Sequence, residues 1–159
     1  METVYLLFGS NIDDPERQLK EAVTRLSPIG QIISKSSFFK TKAWGKTNQP
    51  DFMNQAVVIE TSLSPLTLLR EIQRIEFSMG RLRAEKWEPR LIDIDILLFG
   101  DEIVNEKDLI IPHPLLPERR FALTPLNEVA PLLIHPIHKK NIQTLLIECK
   151  DGLEVEEVN

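Results

Sequence analysis

Trp87-Glu88-Pro89-Arg90-Leu91-Ile92-Asp93-Ile94-Asp95-Ile96-Leu97-Leu98-Phe99-Gly100 is the stretch whose pattern decides the fold. Ile92, Ile94, Ile96 and Leu98 alternate with Leu91, Asp93, Asp95 and Leu97. A period of two predicts a strand with one aliphatic face. The opposite face carries Asp93 and Asp95. Residues i and i+2 of a strand point the same way, roughly 6.5–7 Å apart. Two carboxylates placed like this inside an apolar strand repel each other and lose hydration unless a cation binds between them. Mg²⁺ is the natural candidate, because it takes a few carboxylate oxygens and completes its shell with phosphate oxygens. Two such ions, about 3.5–4 Å apart, fit the gap. The alternative is a solvated strand end, which the rarity of Asp in strands disfavours.

The chain has 159 residues, 42% of them hydrophobic and 27% charged. That suits one domain, over 1–159, with a real core. No apolar run reaches the roughly 18–20 residues of a membrane helix. The N-terminus lacks a basic secretory leader, so a cytoplasmic protein is expected. The single Cys149 excludes an internal disulfide and a multi-cysteine zinc site. A net charge of −5 argues against general nucleic-acid binding. The cations are clustered, however. Arg81, Arg83, Lys86 and Arg90 fall together, and Arg119 and Arg120 form a second group. A locally basic site on an acidic protein suits a small polyanion such as a nucleotide.

Around the Asp strand the remaining elements follow from periodicity and punctuation. Thr3 to Phe8 reads as a buried strand stopping at Gly9-Ser10-Asn11. Asp13, Asp14 and Pro15 open a helix with Leu19, Ala22, Val23 and Leu26 on one face. Gln31 to Lys40 and Phe52 to Thr61 alternate as strands. Ser64-Pro65 opens a second helix with Leu68, Ile72, Ile75 and Met79 inward, closed by Gly80. Two short strand pieces are expected in 101–111, a loop from Pro112 to Arg120, and a short helix near Pro125–Val129. Asn141 to Cys149 reads as a last helix, and 151–159 as an acidic tail or short edge strand. The order predicts an α+β sandwich around a mainly antiparallel sheet flanked by helices, close to the ferredoxin-like plan.

Gly45-Lys46-Thr47 imitates the end of a phosphate-binding loop. The earlier glycine it needs is replaced by Lys40, and Pro50 forbids the following helix. Gln73 and Glu76 lie three apart on one helix face, a spacing that usually faces solvent. Arg81 and Arg83 directly follow Gly80, and arginine forks match phosphate oxygens. His113 is stiffened by Pro112 and Pro114. Trp44, Phe52, Trp87 and Phe121 each flank a loop. Singly each is a core residue; together they could stack on a flat heterocycle.

These segments, taken in order, resemble the 6-hydroxymethyl-7,8-dihydropterin pyrophosphokinase family. The likeness runs from Gly9-Ser10-Asn11 to His135-Pro136. It rests on Gly80-Arg81-Leu82-Arg83, Trp87-Glu88-Pro89-Arg90 and Asp93-Ile94-Asp95. Pro112-His113-Pro114, Arg119-Arg120-Phe121 and Gln49-Pro50-Asp51-Phe52-Met53-Asn54 add to it. The resemblance implies transfer of the terminal diphosphate of ATP to the pterin hydroxymethyl group, releasing AMP. It implies Asp93 and Asp95 as ligands of two Mg²⁺ ions, with Arg81, Arg83 and Arg90 completing the catalytic set at the phosphates. On the ATP side it implies Gln73, Glu76, Trp87, Ile96, His113 and Arg119. On the pterin side it implies Thr41 through its backbone, Lys42, Trp44, Asn54, Trp87, Asp93, and Phe52 with Phe121 as a stacking pair. Glu88 departs from the family's usual Gly, and Phe52 from a frequent Tyr.

Phosphoryl-type transfer needs positioning and charge neutralisation more than covalent catalysis. No side chain stands out as a general base. Glycine and charge in 80–90 suggest a lid that excludes water. Two rivals share the Asp-x-Asp strand: a two-metal nucleotidyltransferase, and a non-enzymatic regulatory module binding a small molecule or cation. The expected partners are ATP and the pterin, with no nucleic acid and no membrane, and the chain is expected to be a monomer or weak homodimer.

Overall fold

Val4, Leu6 and Phe8 point to one side of the first strand and Leu7 to the other, and all four are buried. A strand covered on both faces belongs in the middle of a sheet. The computed structural model, which describes residues 1–42, 50–80 and 92–158, places it there. Strand β1 (Glu2–Ser10) pairs antiparallel with β4 (Phe52–Thr61) on one side and β5 (Asp93–Phe99) on the other. Beyond β4 lie β2 (Gln31–Lys35) and β3 (Phe38–Thr41), and β8 (Val155–Val158) closes the far edge. A separate hairpin joins β6 (Val104–Glu106) to β7 (Leu109–Ile111). With β2 and β3 counted as one interrupted strand, the order is β-α-β-β-α-β, the ferredoxin-like plan.

Helices cover both faces. On one, α1 (Pro15–Thr24) and α2 (Pro65–Ser78) bury Leu19, Ala22, Leu68, Ile72 and Ile75 against Val4, Leu6, Phe8 and Ile94. On the other, α3 (Arg120–Val129) and α4 (Ile142–Glu148) bury Ala122, Leu123, Leu126, Ile142 and Leu145 against Leu7 and Leu97. Each full burial of a large aliphatic side chain contributes about 1.5–3 kcal/mol. The helix starts are chemically explicit. Asp14 accepts from Arg17 N–H and Ser64 from Thr67 N–H, each followed by Pro at the first helical position. Among the described residues no helix is long and apolar enough to cross a membrane.

Four expectations need correction. The strand expected over 31–40 breaks at Ser36 and Ser37. Ser36 Oγ accepts from Ala56 N–H at 2.9 Å and Ser37 Oγ donates to Glu128 Oε1 at 2.8 Å. Serine hydroxyls here take over ladder hydrogen bonds, which lets the chain bend. Leu98 does not share a face with Ile94 and Ile96. Tyr5 pairs with Leu98 and Leu6 with Ile96, so Leu97 is an extra residue in a bulge. The bulge reverses the alternation and sends Phe99 to the α1–α2 face and Leu98 to the other. The helix expected near Pro125 begins five residues earlier, at Arg120, with Pro125 inside it. Finally, β1 does not stop at Gly9 but runs through it to Ser10.

Helix α3 has no side-chain cap from its own N-cap residue, Arg119. The cap comes from far along the chain. Asp151 Oδ2 accepts from Arg120 N–H at 3.1 Å, while the Arg120 guanidinium donates to the Asp151 and Cys149 carbonyls at 2.9 and 2.8 Å. Asp151 Oδ1 also accepts from Leu153 N–H at 3.0 Å. The carboxylate sits at the positive end of the helix dipole. Asp151→Ala is expected to destabilise the fold by about 0.5–2 kcal/mol, the usual worth of a cap. Urea unfolding measures this; an unchanged midpoint would show that water serves these amides as well.

Candidate active site

One register row crosses four strands: Phe39 on β3 faces Asn54 on β4, Asn54 faces Gly9 on β1, and Gly9 faces Asp93 on β5. Leu7 faces Asp95 two residues along. Paired residues share a face, so Asn54, Gly9, Asp93 and Asp95 all lie on the α3 side of the sheet. Alternation along β4 adds Phe52 to that face, and its partner Thr41 on β3 joins it. The expected strand and shared face of the Asp pair are met: both aspartates are half-buried while Ile94 and Ile96 between and beyond them are buried.

Glycine is required at position 9 by its neighbour rather than by its backbone angles. A Cβ there would stand 2.8 Å from Asn54 Oδ1. Asn54 is 4% exposed, and its Nδ2 has no hydrogen-bond partner among the described residues. A buried amide left short of an acceptor is costly. Such a donor, aimed from the sheet floor, suits the amide edge of a planar polar ring. Ser10 Oγ, on the opposite alternation of β1, is also buried without a partner among the described residues. Asn11 Nδ2 donates to the Pro50 carbonyl at 3.3 Å and ties the end of β1 to the entry of β4.

The loop from β7 to α3 brings a cation and an imidazole to the carboxylates. His113 N–H donates to the Leu97 carbonyl at 2.9 Å, which anchors the loop on β5. His113 Nδ1 accepts from Leu115 N–H at 3.2 Å, so the proton of the neutral ring is on Nε2. Burial, helped by the Arg119 charge and opposed by Asp93, lowers the His113 pKa to about 4. At neutral pH the ring is therefore an uncharged donor. Burial also pulls the Arg119 pKa below its ordinary value, against the opposing pull of Asp95, Asp93 and Glu118. The guanidinium stays charged nonetheless. Its Cζ lies 5.4 Å from the centre of the Phe121 ring, a cation–π contact. A cleft of about 440 Å³ begins beyond Arg119, lined by Leu115, Pro117, Arg119, Lys150 and Asp151.

Not every expected residue comes to this face. Ile96 buries its side chain in the α1–α2 core, so only its backbone faces the carboxylate row. Gln73 is exposed on α2, the helix behind the sheet. Glu76 is not solvent-facing; it is 6% exposed, and its Oε2 accepts from Ile94 N–H at 2.8 Å. Thr41 is buried with its hydroxyl donating to the Glu154 carbonyl at 3.1 Å, and Lys42 is exposed. Phe121 lies in the first turn of α3, half-buried. Trp44, Arg81, Arg83, Trp87 and Arg90, with Glu88, lie outside the described residues. Gly9 was read as a strand end, and no signal in β1 itself could reveal its role, which depends on what faces it across β4.

Asp93 and Asp95 themselves offer only oxygen ligands. Among the described residues no group of three or more His, Cys, Asp or Glu is placed to hold a metal alone. Two carboxylates with open remaining positions fit Mg²⁺, whose other ligands are water and phosphate oxygens. Fold and face together define an α+β protein whose α3 side carries two half-buried carboxylates, a guanidinium and a buried amide. Residues 5–131 match the family model of 7,8-dihydro-6-hydroxymethylpterin-pyrophosphokinase, and the chain belongs to that family. It is 43% identical over 143 residues to the 2-amino-4-hydroxy-6-hydroxymethyldihydropteridine pyrophosphokinase of Aquifex aeolicus, covering 90% of this chain and 89% of that one. The protein of the same name from Haemophilus influenzae is 44% identical over 138 residues, 86% of each chain. That from Pseudomonas aeruginosa is 34% identical over 157 residues, 97% of this chain and 96% of that one. Crystal structures of Plasmodium falciparum HPPK-DHPS share the fold. One, wild type with SDX-DHP, gives a TM-score of 0.72 at 19% identity over 93% of this chain. Another, wild type with pteroate, gives 0.74 at 18% over 92%. This chain spans less than half of those proteins, 43% and 42%.

Two outcomes follow from the geometry. Gly9→Ala is expected to destabilise by about 1–3 kcal/mol through overpacking. In an Asn54→Ala background, where the opposing oxygen is gone, the same change should be nearly neutral. A double-mutant cycle in urea measures the coupling, and additive losses would show that Asn54 is not the obstacle. For His113, the folded pKa of about 4 lies below the unfolded value near 6.5. The unfolded chain then binds more protons between these values, so stability rises with pH across about 4 to 6.5 and is lost on acidification. His113→Gln is expected to make that rise shallower. An unchanged slope in pH-dependent unfolding would mean that the ring is as well solvated in the fold as out of it.

Proposed function

We infer that this chain is an ATP-dependent diphosphokinase that transfers a pyrophosphoryl group to 6-hydroxymethyl-7,8-dihydropterin in folate biosynthesis. Family membership carries the reaction. The observation that fits the chain's own geometry to it is the row Asn54–Gly9–Asp93. Asn54 stands two strands from Asp93, about 9–10 Å at ordinary strand spacing. That separation suits a ring recognised at its far edge and reacting at the substituent beside the carboxylates.

Position supports the roles given to the described residues, and those of Trp44, Arg81, Arg83, Trp87 and Arg90 rest on the family resemblance alone. Asn54 Nδ2 donates to the acceptor edge of the pterin. Phe52 and Phe121 border the ring, with Arg119 held against Phe121. Thr41 offers its backbone, since its hydroxyl is taken, and Lys42, Trp44 and Trp87 complete this side. Asp93 and Asp95 would hold two Mg²⁺ ions. When bound, these ions neutralise phosphate charge and favour ionisation of the attacking hydroxyl. Arg119 adds a fixed positive charge on the same face, and His113 an uncharged Nε2–H donor for phosphate or ribose. Arg81, Arg83 and Arg90 supply further phosphate contacts, with the Ile96 backbone on the nucleotide side. Attack at the β-phosphorus expels AMP. Both substrates are small molecules, and the chain acts on them as a cytoplasmic monomer or weak homodimer.

With ATP, Mg²⁺ and the pterin alcohol, AMP and pterin diphosphate are expected in equal amounts. Asp95→Asn should lower the rate by well over tenfold, a barrier increase above about 1.4 kcal/mol. Chromatography of the products decides between readings. ADP would indicate an ordinary kinase, pyrophosphate a nucleotidyltransferase, and no pterin-dependent turnover the binding module.

A further inference from the structure

Glu76 lies in the last turn of α2, a helix that packs behind the sheet, yet its carboxylate reaches the strand that carries the aspartates. Its Oε2 accepts from the N–H of Ile94, the residue between Asp93 and Asp95, at 2.8 Å. Alternate amides of a strand point to opposite sides. Ile94 N–H points away from β1, and its two neighbours point toward it. Among the described residues strand β5 ends the sheet on this side, and no further strand takes the Ile94 amide. A helix carboxylate takes it instead.

An edge strand tied on one side only is free to twist or bulge. Strand β5 does bulge at Leu97, two residues past Asp95. The i, i+2 relation that sets the two carboxylates side by side holds only while Asp93–Asp95 stays extended. We propose that Glu76 is a positioning residue for the carboxylate pair. It fixes the β5 backbone at Ile94 and thereby sets the spacing and aim of Asp93 and Asp95 toward their metal, acting through that amide rather than by contact with the nucleotide. The proposal rests on the reading of Asp93 and Asp95 as metal ligands.

Three variants and two readouts test it. Glu76→Met keeps the length and suits a helix but removes the acceptor. Glu76→Gln keeps an acceptor oxygen and removes the charge. Asp95→Asn tests the metal reading itself. The readouts are hydrogen exchange of the Ile94 amide without metal, and the Mg²⁺ concentration that half-saturates binding of α,β-methylene-ATP. Glu76→Met should speed Ile94 exchange and raise the Mg²⁺ requirement, each by about tenfold or more, the usual effect of losing a partner that orients a metal ligand. Glu76→Gln should stay within about threefold of wild type on both. Faster Ile94 exchange with an unchanged Mg²⁺ requirement overturns the proposal. So does a Glu76→Gln protein that matches Glu76→Met in Mg²⁺ requirement, because charge rather than acceptance would then matter. If Glu76→Met fails to fold, Glu76→Asp shortens the reach by one carbon, and the same joint loss is expected; a lone loss of Ile94 protection again overturns it. An Asp95→Asn protein with wild-type Mg²⁺ requirement sinks the metal reading, and this proposal with it, whatever Glu76 does.

Discussion

Strand β1 is gripped on both sides, by β4 over nine residue pairs and by β5 over six. Its register decides which side chains meet on the α3 face. Side chains alternate with a period of two, so a slip of one residue against β5 would turn Asp93 and Asp95 into the α1–α2 core. There they would displace Ile94 and Ile96 and face no cation. The apolar groups Val4, Leu6 and Phe8 on one side and Leu7 on the other prevent the slip, because it would bury carboxylates and move aliphatic groups out of their layer. The same register puts Gly9 between Asn54 and Asp93, where only hydrogen fits under the Asn54 oxygen. Core packing and site assembly are thus one constraint seen from two faces.

The site is further held from its rim by contacts distant in sequence. The 142–158 segment lies beyond the family match at 5–131, yet it braces both Thr41 and the helix that carries Phe121. Strand β8 pairs with β3, and the Glu154 carbonyl takes the Thr41 hydroxyl. Asp151 caps the helix whose first turn carries Phe121. At the other end, the His113 amide fastens the β7–α3 loop to the Leu97 carbonyl at the bulge. The irregular residue of β5 therefore has a use. Its displaced backbone is where the loop carrying His113 and Arg119 docks.

Features with a local cause were legible in the sequence. The Asp-x-Asp alternation, the Asp14-Pro15 and Ser64-Pro65 helix starts, the ten-residue strand from Phe52 and the turn at Gly80 all rest on neighbours along the chain. Features caused across the fold were not. Leu97 carries no mark of a bulge, since Ile-Leu-Leu-Phe fits either face pattern. Ser36 and Ser37 look like strand residues until Ala56 and Glu128 are seen to bond them. Pro125 signals a helix start by its usual preference, whereas the helix begins at Arg120, where the distant Asp151 caps it. Glu76 sits at a spacing that normally faces water, and its burial follows from an unpaired amide on another element. The family resemblance named residues for the site but could not say which of them act through a neighbour.

The carboxylate pair as the seat of a metal that arrives with the nucleotide is most directly tested by paramagnetic broadening. Mn²⁺ replaces Mg²⁺ in amide spectra of the wild-type protein, with and without a non-hydrolysable ATP analogue. The expected result is selective loss of the Asp93, Ile94 and Asp95 signals, together with that of Gly9 across the strand, strongly enhanced by the analogue. Retention of these four signals while others fade, for instance near Glu148 and Asp151, would contradict it.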